Sequence, residues 1–198
     1  MVAVTRPPEV TQGDDDASVI RRSRQEPEGF AVLFDRYHTV IHGYAARRLG
    51  PGLADDVAAE TFLIAFDRRH DYDLSRRDAR PWLYGIASNL IARHHRAEVR
   101  QYRALARAHA GQEAGGPAEG HAERVAGRVD AQAVRGRLAA ALTDVADGDR
   151  DVLLLVAWAE LTVQEAAEAL GVPAGTARSR LHRARKKIRA ALGEDTNQ

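Results

Sequence analysis

The chain has 198 residues, no cysteine, and a formal net charge of +1 from 29 basic and 28 acidic side chains. Without cysteine there is neither a disulfide framework nor a thiolate metal site, and no apolar run approaches a membrane span or a signal peptide. Length allows one large domain or two small ones, and the near-zero charge hides a segregation: Asp14, Asp15 and Asp16 stand near the start, whereas Arg178 to Arg189 is basic without an acidic interruption. A soluble, cytoplasmic protein without membrane insertion is the expectation.

Residues 1–25 combine Pro7, Pro8, Gly13 and the Asp triplet with few large apolar groups, a composition that does not repay the entropy of ordering, so they are expected to form a flexible tail. From Pro27 the pattern changes. Phe30, Leu33, Phe34, Tyr37, Val40, Ile41 and Tyr44 recur at helical spacing until Gly50-Pro51-Gly52 stops the run. His38 and His42 stand four apart on this helix, but no third or fourth metal ligand at familiar spacing accompanies them, and a structural or exposed role is the plainer reading.

After the break, Asp55 and Asp56 lead into Val57, Thr61, Phe62, Ile64, Ala65 and Phe66, acid near a helix start being favoured by the macrodipole. Asp55, Asp56 and Glu60 could suggest acid–base chemistry or a divalent ion, yet no partner base or phosphate-binding glycine loop is visible. The alternative is an acidic, partly apolar surface that docks another protein.

His70 to Arg80 lacks periodicity and reads as a loop, and Pro81 then opens a helix with two different faces. Leu83, Ile86, Ala87 and Leu90 make a core stripe, while Trp82, Gly85, Asn89, Arg93 and Arg96 project elsewhere. Aromatic rings stack on unpaired bases, an amide reads base edges and arginines follow phosphates, so this face and the preceding loop fit single-stranded nucleic acid; Trp82 taken alone fits the core equally well.

Helical propensity continues through Ala108, and GQEAGGPAEG then has the composition of a linker, so a boundary belongs near Gly111 to Gly120. Beyond it, Val134, Leu138, Ala141 and Leu142 suggest one helix and Asp147 to Ala157 another. The stretch from Leu161 to Leu192 reads as a helix-turn-helix. Thr162 and Glu165 form a capping box, Gly171 ends the first helix, and Pro173 suits the start of the second. Ala177, Leu181, Ala184 and Ile188 form the buried stripe of that second helix. Thr176, Ser179, Arg180 and Arg183 are then candidates for base edges in a major groove, and Lys186, Lys187 and Arg189 for the phosphate backbone. The fold class is all-α: two small helical domains, residues 26–98 and 131–193, joined by a flexible linker at 99–130, the second containing the helix-turn-helix.

Three motifs in this order, DDVAAETFLIAF, ARPWLYGIASNLIARHHR and LTVQEAAEALGVPAGTARSRLHRARKKI, resemble those of the extracytoplasmic-function (ECF) group of bacterial sigma-70 family RNA polymerase sigma factors. The resemblance covers nearly everything from Glu26 to Leu192. It implies that the first domain binds the clamp helices of the polymerase β′ subunit and captures the melted −10 strand, and that the second binds the −35 duplex and the β flap. It implies no catalysis, cofactor or metal, and it leaves room for an anti-sigma protein as a further partner. By position, Asp55, Asp56, Glu60 and Phe62 would serve polymerase binding. Arg80, Trp82, Asn89, Arg93 and Arg96 would serve the −10 strand, and Thr176, Arg178, Ser179, Arg180, Arg183, Lys186 and Lys187 the −35 duplex. The chain departs from the family pattern at Ala177, where many relatives carry a larger β-branched residue, and at Pro173, where a serine cap is frequent. A one-component regulator with a similar helix-turn-helix would need a receiver or ligand domain, and the N-terminal half lacks the alternating strands of one. A helical hydrolase using His38, His42, Asp55 and Asp56 is the weaker rival.

Overall fold

The computed structural model describes residues 14–109, 141–142 and 144–193, the side chains of 97–109 excepted, and every regular element among the described residues is helical. The first helix, α1 (Asp16–Ser23), lies inside the stretch expected as a tail. Asp15 caps it by accepting the Ser18 N–H at 2.9 Å, and Arg21 and Arg22 occupy its last turn, where they complement the negative end of the dipole. Val19 and Ile20 are fully buried. The expectation of a tail is therefore corrected for residues 16–23. Low apolar content was the wrong measure, because a short helix needs only a few well-spaced apolar groups when another domain surface receives them.

A 3₁₀ turn at Pro27–Phe30 leads into α2 (Ala31–Leu49). Gly50, at φ 83°, reverses the chain directly into α3 (Pro51–Asp67), whose Pro51 sits at the helix start, where its missing N–H costs nothing. With α4 (Arg80–His109) these helices enclose the main core. Ala45, Ala54, Ala58, Ala65 and Ala87 are fully buried and let the backbones approach, while Leu33, Ile41, Val57, Leu83 and Ile91 fill the space between. Tyr44 is buried too, its hydroxyl 3.1 Å from Ser88 Oγ. Helix α4 runs past the boundary expected at residue 98, so the start of the anticipated linker is helical; its glycine-rich part lies outside the described residues. Of the helix expected around Val134 to Leu142, the described residues 141–142 are helical and the rest lies outside.

The C-terminal unit comprises α5 (Asp147–Ala157), α6 (Val163–Ala169) and α7 (Ala174–Leu192). Val152, Ala167, Ala177 and Leu181 form its own small core. Leu154 and Leu155 of α5, Ala159 and Leu161 of the turn after it and Ala166 of α6 instead join the core of the first unit, α5 being apolar on more than one side. Polar contacts line this seam. Arg48 donates to Asp151 at 2.7 Å and to the Tyr44 hydroxyl at 3.1 Å, Arg76 pairs with Glu168 at 2.6 Å, and the Arg47 guanidinium lies 5.5 Å from the Trp158 ring centre. At the closest point α6 rests on Gly85 of α4, where a Cβ would stand 2.4 Å from the Ala169 carbonyl oxygen.

The turn from α5 to α6 holds Glu160 at φ 55°, a left-handed conformation that strains any side chain, while the next residue, Leu161, is buried and donates its N–H to Leu155 at 3.1 Å. Glu160→Gly should therefore raise stability by about 1 kcal/mol. Thermal unfolding of the two proteins checks this, and an unchanged or lower melting temperature would show that the glutamate relieves its own strain.

Candidate nucleic-acid interface

The helix-turn-helix forms as its local signals require. The Thr162 N–H donates to Glu165 Oε2 at 2.7 Å and the Glu165 N–H to Thr162 Oγ1 at 3.2 Å, and Gly171 adopts φ 62° at the turn. Pro173 is the N-cap of α7 and brings no side-chain cap bond, so the helix starts on backbone geometry alone. Ala177, Leu181 and Ala184 are buried as expected.

Of the expected base-edge residues, Thr176, Ser179 and Arg183 are exposed and Arg180 is half-buried, and the two arginines meet α5. Arg183 is held by Asp149 in a two-pronged ion pair, Nε to Oδ2 at 2.8 Å and Nη2 to Oδ1 at 2.7 Å, and this bonding raises the guanidinium pKa further. Asp149 is buried in the first turn of α5 and needs a cation there. Arg183, expected to read bases, thus commits two of its donors to Asp149, while its side chain stays 59% exposed. Arg180 is half-buried against Gly148, with its Nη1 3.1 Å from where a Cβ would lie, and Lys187 donates to the Asp144 carbonyl. Arg180 and Arg183 thus meet the first turn of α5, and Lys187 the residues just before it. Thr176, Arg178, Ser179 and Lys186 are exposed, as are Arg183 and Lys187, and the Ser179 hydroxyl donates to the Gly175 carbonyl at 3.0 Å. The other flank carries Arg178, His182, Arg185 and Arg189, which with Lys186 rim a groove of about 500 Å³ floored by Val163 and Leu181. His182 and Arg185 were missed from the sequence; extending the helical spacing from Arg178 by four and seven residues would have found them.

On α4, Trp82 and Asn89 line one cavity of about 330 Å³ together with Arg68, Asp71, Tyr72 and Arg76 of the preceding loop. Trp82 is half-buried and its ring lies 4.8 Å from that of Tyr72, tilted by 53°, so it is both packed and partly accessible. Glu168 and Ala169 of α6 close the cavity from the other unit. Arg80 does not belong with Trp82. It donates to Asp78 at 2.8 Å and lines a different cavity with Tyr37, Tyr84 and Trp158, because two residues along a helix turn a side chain to the opposite side. Arg93 is exposed further along and pairs with Glu60 of α3 at 2.7 Å, and Arg96 is exposed beyond it.

Asp55 and Asp56 are exposed on α3, with Asp55 Oδ1 3.2 Å from His42 Nε2. Phe62, expected on this surface, is only 5% exposed and packs edge-on against Phe34 at 5.0 Å; the apolar groups that reach solvent include Phe34, at 41%, and Leu63, at 61%. Phe62 is corrected to a support beneath the surface. His38 stacks on His42 at 5.9 Å, and among the described residues no cluster of three or more His, Cys, Asp or Glu could hold a metal. Nor is any helix there long and apolar enough to cross a membrane.

Residues 33–101 match the family model for sigma-70 region 2, and residues 132–188 that for sigma-70 region 4. The ECF RNA polymerase sigma factor SigW of Bacillus subtilis is 30% identical over 199 aligned positions, covering 97% of each chain. BldN of Streptomyces coelicolor, also an ECF sigma factor, is 36% identical over 77 residues, 38% of this chain and 29% of that protein. Among solved structures, CnrH, known from Cupriavidus metallidurans, in complex with the cytosolic domain of CnrY aligns with a TM-score of 0.60 at 26% identity, covering 91% of this chain and 99% of that one.

Proposed function

Because this chain belongs to the ECF group of sigma-70 family RNA polymerase sigma factors, which direct transcription initiation, we propose that it carries core polymerase to promoters by reading a −35 duplex with α7 and a melted −10 strand with α4 and the loop before it. The observation that supports this most is the outward side of α7. Arg178, His182, Arg185, Lys186 and Arg189 are exposed there, in a helix that has no acidic residue. Such a surface is attracted to phosphate whatever the sequence, while Arg178 and Thr176 near the helix start are free to meet base edges. On α4, Trp82 and Asn89 offer a ring and an amide to an unpaired base, with Arg68 and Arg76 beside them for phosphate. Glu168 and Ala169 cover that cavity, so strand entry requires α6 to lift away from α4. Core polymerase would dock on the exposed Asp55, Asp56, Phe34 and Leu63, and an anti-sigma protein is a further partner, a reading supported by the complex in which CnrH was solved.

Transcription by core enzyme on promoter-bearing genomic fragments tests the reading: added protein should make initiation start at defined sites, and unchanged, scattered initiation would refute it. Reversing charge with Asp55→Lys and Asp56→Lys together should weaken core binding about tenfold or more while helix content stays the same, since both side chains are exposed. Equal capture of variant and native protein by core enzyme would move the docking surface elsewhere.

A further inference from the structure

Helix α1 was absent from every functional expectation, yet it grips both ends of the segment between α3 and α4. At the near end, Arg24 donates to the Arg69 carbonyl at 3.1 Å and the Tyr72 carbonyl at 2.9 Å, and Arg69 returns a bond to the Ser23 carbonyl at 3.1 Å. At the far end stands Asp16, only 2% exposed. Its Oδ2 accepts the Ala79 N–H at 2.7 Å and the Tyr37 hydroxyl at 2.7 Å, its Oδ1 accepts the Arg36 guanidinium, and its own N–H donates to the Arg77 carbonyl at 3.1 Å.

A carboxylate this buried persists only when its lone pairs are filled. An acidic residue at a helix start commonly serves its own helix, but here Asp15 fulfils that task and Asp16 points across to the segment. Ala79 accepts from the Leu83 N–H at 3.0 Å, so fixing Ala79 fixes both the end of the segment and the first turn of α4, where Trp82 lies. Tyr37 remains a donor throughout, since burial and the neighbouring carboxylate push its pKa well above the usual phenol range. The middle of the segment is tied to itself: the Tyr72 hydroxyl donates to the Arg76 carbonyl at 2.9 Å and Asp73 accepts the Ser75 N–H at 3.0 Å.

We propose that Asp16 is a positioning residue for base capture: by anchoring Ala79 and Arg77 it sets the distance between the loop and the Trp82–Asn89 face that receives an extruded base. The inference rests on the strand-capture reading above. Asp16 touches no DNA, and its effect passes through the loop.

Holoenzyme carrying Asp16→Ala or Asp16→Asn, formed with core polymerase, is assayed for abortive initiation at a promoter mapped by the transcription test, on templates pre-melted at −10 with either the native base or a substitute. The asparagine keeps one oxygen for the Ala79 N–H and should preserve discrimination between the two bases to within about threefold, whereas the alanine should lose about tenfold or more of it. Both proteins should bind core polymerase as the native chain does. Backbone hydrogen exchange should quicken at Ala79 in Asp16→Ala while the buried part of α3 stays protected. Should Asp16→Ala not fold, Asp16→Ser, too short to reach Ala79, takes its place. Native discrimination in Asp16→Ala, or in Asp16→Ser where that takes its place, or activity weakened equally on both templates, would overturn the positioning role. If the native holoenzyme itself distinguishes no base at −10, the strand-capture reading fails first and takes this inference with it.

Discussion

Gly85→Ala should push α6 off α4 and expose the cavity lined by Trp82 and Asn89 in the free protein. A methyl group 2.4 Å from the Ala169 carbonyl oxygen cannot be accommodated without moving backbone. Overpacking of this kind costs about 1–3 kcal/mol, enough to shift the balance between closed and open arrangements by roughly five- to 150-fold. The helix-propensity gain of alanine over glycine applies to α4 in both arrangements and so leaves that balance unchanged. Small-angle scattering should report a larger radius of gyration, and single-stranded −10 DNA should bind the free variant about tenfold more tightly. Glu168→Ala, which removes the ion pair with Arg76 and a bond within α6 from Gln164, should open the molecule far less, because a pair this accessible contributes about 0–1 kcal/mol. An unchanged radius together with unchanged strand affinity in Gly85→Ala would mean that the seam absorbs the methyl group, and closure would then not limit access.

Base reading by α7 should reside in Arg178 rather than in Arg183. Arg178 is exposed near the helix start, and its replacement by alanine should relax preference at particular base pairs by about 1–3 kcal/mol if its fork meets a guanine. Arg183→Ala should lower the melting temperature and weaken all duplexes alike, since it releases α7 from α5. Asp149→Ala tests the same contact from the other side. It removes a buried acceptor and an acidic group from the first turn of α5, and should cost about 1–2 kcal/mol of stability. Systematic replacement of the −35 base pairs, measured by duplex binding at one salt concentration, separates these outcomes. Altered base preference in Arg183→Ala, with unchanged stability, would return that residue to the groove.

The local features of this protein were determined by its sequence, because each depends on residues within about a turn of one another. The capping box at Thr162 and Glu165, the left-handed Gly171, the break at Gly50 and Pro51, and the stripe of Ala177, Leu181 and Ala184 all needed nothing beyond neighbouring positions. The three motifs in order were enough for the family, since together they span both helical units. Tertiary structure decided which charges are free. Arg183 meets Asp149 34 residues away, Asp16 meets Ala79 63 residues away, and Arg48 meets Asp151 103 residues away. Periodicity tells only that such side chains leave their own helix's core, not whether another helix or solvent receives them. The same limit hid α1, whose Val19 and Ile20 became core only against surfaces later in the chain, and misplaced Phe62, whose ring lies under Phe34. Gly85 was legible as a small residue on the Trp82 face, but its consequence, the seating of α6 over that face, came from the packing of two units whose contact no local signal records.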